Sequence, residues 1–172
     1  MLLKQETQYD NYMKIFISTD HAGYVLKEEL VLALTAQGHE IVDKGAYGYN
    51  EGDDFPDFVI PLAREVSQNS NPDLARGIIL GATGEAEAFT ANKFPHVRAV
   101  VYYGKSTSVV VDDEVDIIVR SRTHHNTNVL ILGARFFTHE SILEAVTTWL
   151  STPFEAGEKH LRRLAKVDAI KI

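Results

Sequence analysis

The chain contains no cysteine. Disulfides, thiolate metal centres, iron–sulfur clusters and any cysteine nucleophile or base are therefore excluded. No apolar run approaches the roughly 18–20 residues of a membrane span. The opening MLLKQETQYDNY is too polar for a secretion signal, so a cytoplasmic protein without a membrane partner is expected. Positive charge is scarce: 17 Lys and Arg stand against 24 Asp and Glu, giving a net charge of −7. A field of that sign does not favour nucleic acid. Repeats, low-complexity tracts and Pro/Ser-rich linkers are also missing. What remains, 172 residues at 45% hydrophobic and 24% charged, suits one globular domain with its own core.

The charge is uneven. From Gly157 to Ile172 five basic residues (Lys159, Arg162, Arg163, Lys166, Lys171) face two acids (Glu158, Asp168), a local +3 that leaves −10 on residues 1–156. Such a tail is either a solvated helix face or a local anion site.

Short β-branched runs alternate with helical stretches. Strands are expected at 14–18, 40–43, 77–80, 97–102 and 129–132, and helices at 24–37, 56–67, 85–92, 139–150 and 158–167. Phe58, Leu62, Ala63 and Val66 should face inward from the second helix, where Pro61 implies a bend or a later start. Residues 1–12 read as an extension before a single domain over 13–172. Residues 103–123 fit neither period: Val109 to Val111 and Ile117 to Val119 flank the acidic group Asp112, Asp113, Glu114 and Asp116. Strand–helix alternation predicts an α/β fold, a parallel sheet with helices on both faces. Ligands then bind beyond the carboxyl ends of the strands, at 19–23, 81–87 and 133–135.

Three groups there carry chemistry. Asp20 and His21 follow the first strand; the pair can bind and orient hydroxyls of a polar ligand, or Asp20 can simply cap the next helix. Gly81-Ala82-Thr83-Gly84-Glu85-Ala86-Glu87 follows a wholly apolar strand. Its small residues let backbone amides approach a ligand, and Glu87 adds a carboxylate beside those donors. A base next to an oxyanion cradle is what proton abstraction alpha to a carbonyl requires. Glu85 is the rival carboxylate, better suited to capping or solvent. A dinucleotide fingerprint is absent, and Gly104-Lys105-Ser106-Thr107 is no nucleotide loop, because Ala99 stands where its first glycine belongs. His124 and His125 precede the fifth strand. Adjacent histidines do not converge on one ion as an i, i+4 pair does, so no metal is expected; one of them can act as an acid or base near neutral pH. Arg135, past the fifth strand, is either a ligand-facing cation or a surface arginine.

MKIFISTDHAG, GIILGATGEAEAFTANK, NVLILGAR and TWLSTPFEAG with KHLRR together resemble one family, in order and spacing, over residues 13–167. It is that of the type B ribose-5-phosphate isomerases, with the related galactose-6-phosphate isomerase subunits and allose-6-phosphate isomerases. The resemblance implies a flavodoxin-like, Rossmann-like three-layer α/β/α sandwich around a five-stranded parallel sheet. It also implies a homodimer with active sites at the subunit interface, and no cofactor or metal; pairing of dimers into tetramers is left open.

The family has two versions of its base. One places a cysteine directly after the third strand, here Gly81; the other places a glutamate six residues later, here Glu87, and this chain resembles the second. The resemblance makes Thr83 the loop hydroxyl and the amides of Ala82, Thr83, Gly84, Glu85 and Ala86 the oxyanion cradle. Asp20, His21 and Arg135 become substrate contacts. His124 becomes the ring-opening acid, and His125 replaces a substrate-binding asparagine. Lys159 and Arg163 match two phosphate-holding arginines, reaching the site from the partner subunit. Lysine lacks the bidentate fork of arginine, and residues 98–124 are longer than in the commonest members. Expected is an aldose–ketose isomerase of ribose 5-phosphate and ribulose 5-phosphate, working through a cis-enediolate. The alternatives are an isomerase of a six-carbon sugar phosphate, or a phospho-sugar-binding regulatory protein on the same scaffold.

Overall fold

The structure, a computed structural model, describes residues 12–69, 71–106, 109 and 115–170. Of the expected extension only Tyr12 is among them, and the acidic run 112–114 lies outside them. Five strands, β1 (Lys14–Thr19), β2 (Glu40–Asp43), β3 (Ala75–Gly81), β4 (Ala99–Tyr102) and β5 (Val129–Gly133), form one sheet in the order β2-β1-β3-β5-β4. Every pairing is parallel.

Side chains alternate across the pleat, and both faces are covered. Ile15, Ile17, Ile78, Leu80, Leu130 and Leu132 pack against helices α1 (Tyr24–Ala36), α4 (Ile117–His125) and α5 (His139–Ser151). Phe16, Ile79, Val129 and Ile131 pack against α2 (Pro56–Gln68), and Ala91 of α3 (Glu85–Ala91) closes the same face. A strand covered on both sides is built mainly of apolar residues, and β3 and β5 are buried at every residue, with Arg76 at the start of β3 the one charged side chain. The three-layer α/β/α sandwich expected from the sequence is thus present.

Two expectations change. The second helix begins at Pro56 and runs through Pro61 without a later start; Val59, Leu62, Ala63 and Val66 are its buried face, while Phe58 is only half-buried. Proline at the first helical position costs no hydrogen bond, since that N–H has no intrahelical partner anyway. The region that fitted neither period holds α4, capped by Asp116, whose Oδ1 accepts from the Ile118 amide at 3.0 Å. His124 and His125 are therefore its last residues, not part of a loop.

The single tryptophan ties the amino ends of the strands together. Trp149 is fully buried, and its Nε1–H donates to Thr127 Oγ1 at 3.0 Å. The guanidiniums of Arg76 and Arg122 lie over its ring at 5.2 and 5.9 Å. Burial pushes Arg76 down to about 9 and Arg122 down to about 10. Arg76 donates to the carbonyls of Pro72, Trp149 and Leu150, so its role there is structural.

Candidate active site

Leaving β1, the chain runs outward to β2 on one side and, by way of β2 and α2, to β3 on the other. The crevice between the carboxyl ends of β1 and β3 is the switch point of the sheet. Asp20 and His21 enter it from β1. Asp20 Oδ1 accepts from the Ala22 amide at 3.0 Å, so the capping role is real and leaves its other oxygen for a ligand.

From β3 comes the loop 82–84. Gly84 sits at φ +90°, and a Cβ there would press on Ile131 Cγ2 at 2.9 Å, so glycine is required for the turn into α3. Ala134 and Arg135 donate their amides to the Gly81 and Ala82 carbonyls, at 2.8 and 3.4 Å, which fixes the loop against the end of β5. Amides entering a helix have no intrahelical acceptor and favour negative charge. Thr83 Oγ1 accepts from the Glu85 amide at 3.3 Å, which removes Glu85 from the cradle and leaves the Thr83 hydroxyl proton free to donate. The Glu85 carboxylate accepts from Tyr103 Oη and is turned away to the exposed side.

Glu87 is only 4% exposed. Its carboxylate folds back over Gly81: an ideal Cβ at residue 81 would lie 2.7 Å from Oε2 and nearer still to Oε1 and Cδ. The missing side chain of Gly81 is thus the seat of the Glu87 carboxylate. Burial raises the Glu87 pKa, and the carboxylates of Asp20 and Glu85 push the same way. A raised carboxylate is a stronger base once ionised.

The loop after β2 completes this edge. Thr19 and Ala46 exchange backbone hydrogen bonds with Gly45 and Thr19 at 2.7 Å each, and Lys27 Nζ donates to the Ala46 carbonyl at 2.8 Å. A turn at Asn50, whose carbonyl accepts from the Asp53 amide at 3.0 Å, then aims Asp53 at His21. Asp53 Oδ1 accepts a hydrogen bond from His21 Nδ1 at 2.6 Å. Sequence reasoning missed Asp53; it lies among loop acids that nothing local distinguishes. Donor atoms of Asp20, His21 and Asp53 lie within 4.8 Å of one another, with His21 Nδ1 engaged by Asp53. Arg135 is exposed and close enough to His21 for its charge to oppose protonation of the ring.

The remaining candidates are elsewhere. His124 precedes β5 and Arg135 follows it, so they stand at opposite edges of the sheet, separated by roughly 15 Å at 3.3 Å per strand residue. At the amino edge the His124 and His160 rings lie 4.4 Å apart, Arg120 Nη1 donates to His124 Nε2 at 3.0 Å, and Arg163 acts electrostatically on His125. Burial lowers both His124 and His125, and the neighbouring cations lower them further. Lys159 and Arg163 are exposed on α6 (Glu158–Asp168), a helix that buries none of its residues. A separate cavity of about 450 Å³ at this edge is lined by Met13, His39, Asp73, Arg76 and Leu150, none of them a candidate for the chemistry.

The candidate residues of one chain therefore fall into two groups at opposite ends of the strands: Glu87, the 82–84 loop and the Asp20–His21 pair at the carboxyl end, and His124, His125, Lys159 and Arg163 at the amino end.

The model of the ribose/galactose isomerase family matches residues 15–167. The chain belongs to this family. Among curated relatives, ribose-5-phosphate isomerase B of Mycolicibacterium paratuberculosis is 31% identical over 152 residues, 88% of this chain and 87% of that protein. Among solved structures, ribose-5-phosphate isomerase B of Clostridium thermocellum superposes with a TM-score of 0.78 at 35% identity, covering 91% of this chain and 95% of the other. That of Mycoplasma genitalium, solved with bound ribulose-5-phosphate, gives 0.79 at 32% identity over 91% and 94%. As a member of the ribose/galactose isomerase family the chain has the expected five-stranded α/β architecture, and among its described residues no helix is long and apolar enough to cross a membrane.

Proposed function

We propose that the chain is an aldose–ketose isomerase converting ribose 5-phosphate to ribulose 5-phosphate as a homodimer. The observation that carries this is the Glu87 carboxylate, buried, raised in pKa and seated on Gly81 beside the 82–84 amides. Ionised Glu87 removes the proton alpha to the substrate carbonyl and returns it to the adjacent carbon. The loop amides of Ala82, Gly84 and Ala86 and the Thr83 hydroxyl stabilise the cis-enediolate. Asp20, His21 and Arg135 hold the sugar hydroxyls. The second protomer supplies His124 and His125 beside the sugar ring, and Lys159 and Arg163 around the phosphate. Supporting that exchange, α6 leaves Leu161 and Val167 half-exposed on a helix that buries nothing of its own, and among the described residues the two groups lie at opposite ends of the strands. Phosphate binding remote from the reacting carbons aligns them for proton transfer.

The test is proton exchange. Ribose 5-phosphate in deuterated water should gain deuterium at C2 and convert to ribulose 5-phosphate, whereas Glu87→Gln should bind the sugar without exchange. Binding without exchange by the unaltered chain would favour the regulatory reading, and faster turnover of allose or galactose 6-phosphate would favour a six-carbon substrate. Subunit sharing is tested by complementation. Glu87→Gln and His124→Ala chains, each inactive, should recover up to about a quarter of full activity when mixed and reassembled, since half of the dimers then hold one intact site. No recovery would refute the shared site.

A further inference from the structure

We propose that Tyr103 is a positioning residue: its hydroxyl holds the Glu85 carboxylate at the rim of the site and so keeps that charge out of the amide cradle that must receive the enediolate. The inference rests on the isomerase reading above and adds to it a residue that the chemistry has not yet used.

The contact is made at the carboxyl end of the sheet. Tyr103 directly follows β4, and its Oη donates to Glu85 Oε1 in the first turn of α3. The backbone aims the phenol. Gly104 turns at φ +92°, where a Cβ would meet Phe137 Cε1 at 3.3 Å, and the Phe137 ring packs on that of Tyr102 at 5.1 Å. Tyr103 itself is 68% exposed, so its ring adds little to the core and its hydrogen bond is what it contributes. That bond raises the phenol pKa, and the donor keeps its proton through the neutral range.

Glu85 needs holding because of where its backbone stands. Helix α3 leaves its first amides without intrahelical acceptors, and its ladder begins with the Ala88 amide on the Gly84 carbonyl at 3.0 Å. The amides ahead of that bond include those of the cradle, and a carboxylate in the first turn is drawn to them. Glu85 and Glu87 are the two acids of that turn. Glu87 is buried and seated on Gly81. Glu85 is exposed, and even turned outward its charge acts on Glu87, raising the pKa of the base. Released from Tyr103, the Glu85 carboxylate competes with the substrate oxyanion for the same donors. The oxyanion charge develops on the way to the transition state, so the loss falls on kcat rather than on KM.

The test is a double-variant cycle on the full-length protein with ribose 5-phosphate. Tyr103→Phe removes one exposed oxygen and should leave the thermal melt unchanged. Expected is a kcat lower by about tenfold with KM nearly unchanged, short of the roughly hundredfold or more that loss of an oxyanion donor costs. In the Glu85→Gln background, where the competing charge is gone, Tyr103→Phe should change kcat by less than about twofold. Full kcat in Tyr103→Phe overturns the restraint, and so does an equal loss with Glu85→Gln in place. A second readout needs no turnover: the nitrogen-15 amide resonances of Gly84 and Ala86, recorded with Glu87→Gln so that the base does not titrate. They should follow an acid titration between about pH 3 and 6 more strongly in Tyr103→Phe than with Tyr103 in place, and Glu85→Gln should abolish the difference. Amides that titrate alike with and without the phenol overturn the restraint. If the unaltered protein isomerises no sugar phosphate, the isomerase reading fails on the first assay, and the amides alone decide whether Tyr103 restrains Glu85.

Discussion

Replacing Gly81 by alanine adds one methyl group at the most sensitive point of the molecule. The new Cβ would lie 2.7 Å from Glu87 Oε2 and closer to Oε1 and Cδ, against an ordinary contact of roughly 3.5 Å. The carboxylate must retreat by about 1 Å. Because the obstructing atoms are the end of a flexible side chain, the fold yields easily, at about 1–3 kcal/mol for an overpacked site. Catalysis does not yield so easily: a misplacement of about 1 Å in a reacting group can cost on the order of a hundredfold. Gly81→Ala should therefore lower kcat about a hundredfold, with KM nearly unchanged and only a modest fall in Tm. Initial rates of ribulose 5-phosphate formation and a thermal melt read the two effects separately. Full kcat in a folded Gly81→Ala protein would refute both the seat and the base. By the same geometry a thiol at 81 and a carboxylate from 87 would contend for one space. Gly81→Cys combined with Glu87→Gln should recover part of the activity lost in Glu87→Gln alone.

Glu87→Gln also has a pH signature. The folded pKa of Glu87 is raised by burial, so the carboxyl adds no penalty below the unfolded carboxylate range and costs stability as pH rises through its folded value. The variant should melt higher than the parent at pH 8 and equally at pH 4; a gain at pH 4 would contradict this. Lys159→Ala and Arg163→Ala should each raise KM roughly tenfold or more while sparing kcat, as charge-assisted phosphate contacts are lost; an effect confined to kcat would count against phosphate anchoring. Lys27 has no exposed side-chain surface and joins Asp43 at 2.5 Å to the Ala46 carbonyl at 2.8 Å. Lys27→Ala should destabilise by about 3 kcal/mol in a denaturant melt, and an effect under half of that would mean that water replaces the cation.

The carboxyl-edge half of the site was legible because its residues follow strands. A short apolar run such as 77–80, set in strand–helix alternation, reads as a buried strand, and the chain just past it then lies at the rim, which located Asp20, His21, the 82–84 loop, Glu87 and Arg135. The helix at Ile117–His125 was hidden for the opposite reason. Its inward face, Ile118, Ser121 and Arg122, mixes apolar, polar and charged groups, so no helical stripe of hydrophobicity exists to be seen. Asp53 was hidden because its meaning depends on a loop folded back by Asn50 and anchored through Lys27, contacts far apart in sequence. The separation of the candidate residues into two groups was not visible in residue spacing either; it follows from β5 running between His124 and Arg135.

The lone indole has a practical consequence. With one tryptophan in the chain, all such fluorescence originates at a dry position between two guanidiniums, where Arg122 also reaches the carbonyl of Thr127 at 2.5 Å, next to the end of α4. Emission from the folded protein should be blue-shifted and should move to longer wavelength on denaturation, so the molecule carries its own optical gauge of whether the strand ends beneath the histidine cluster are still assembled.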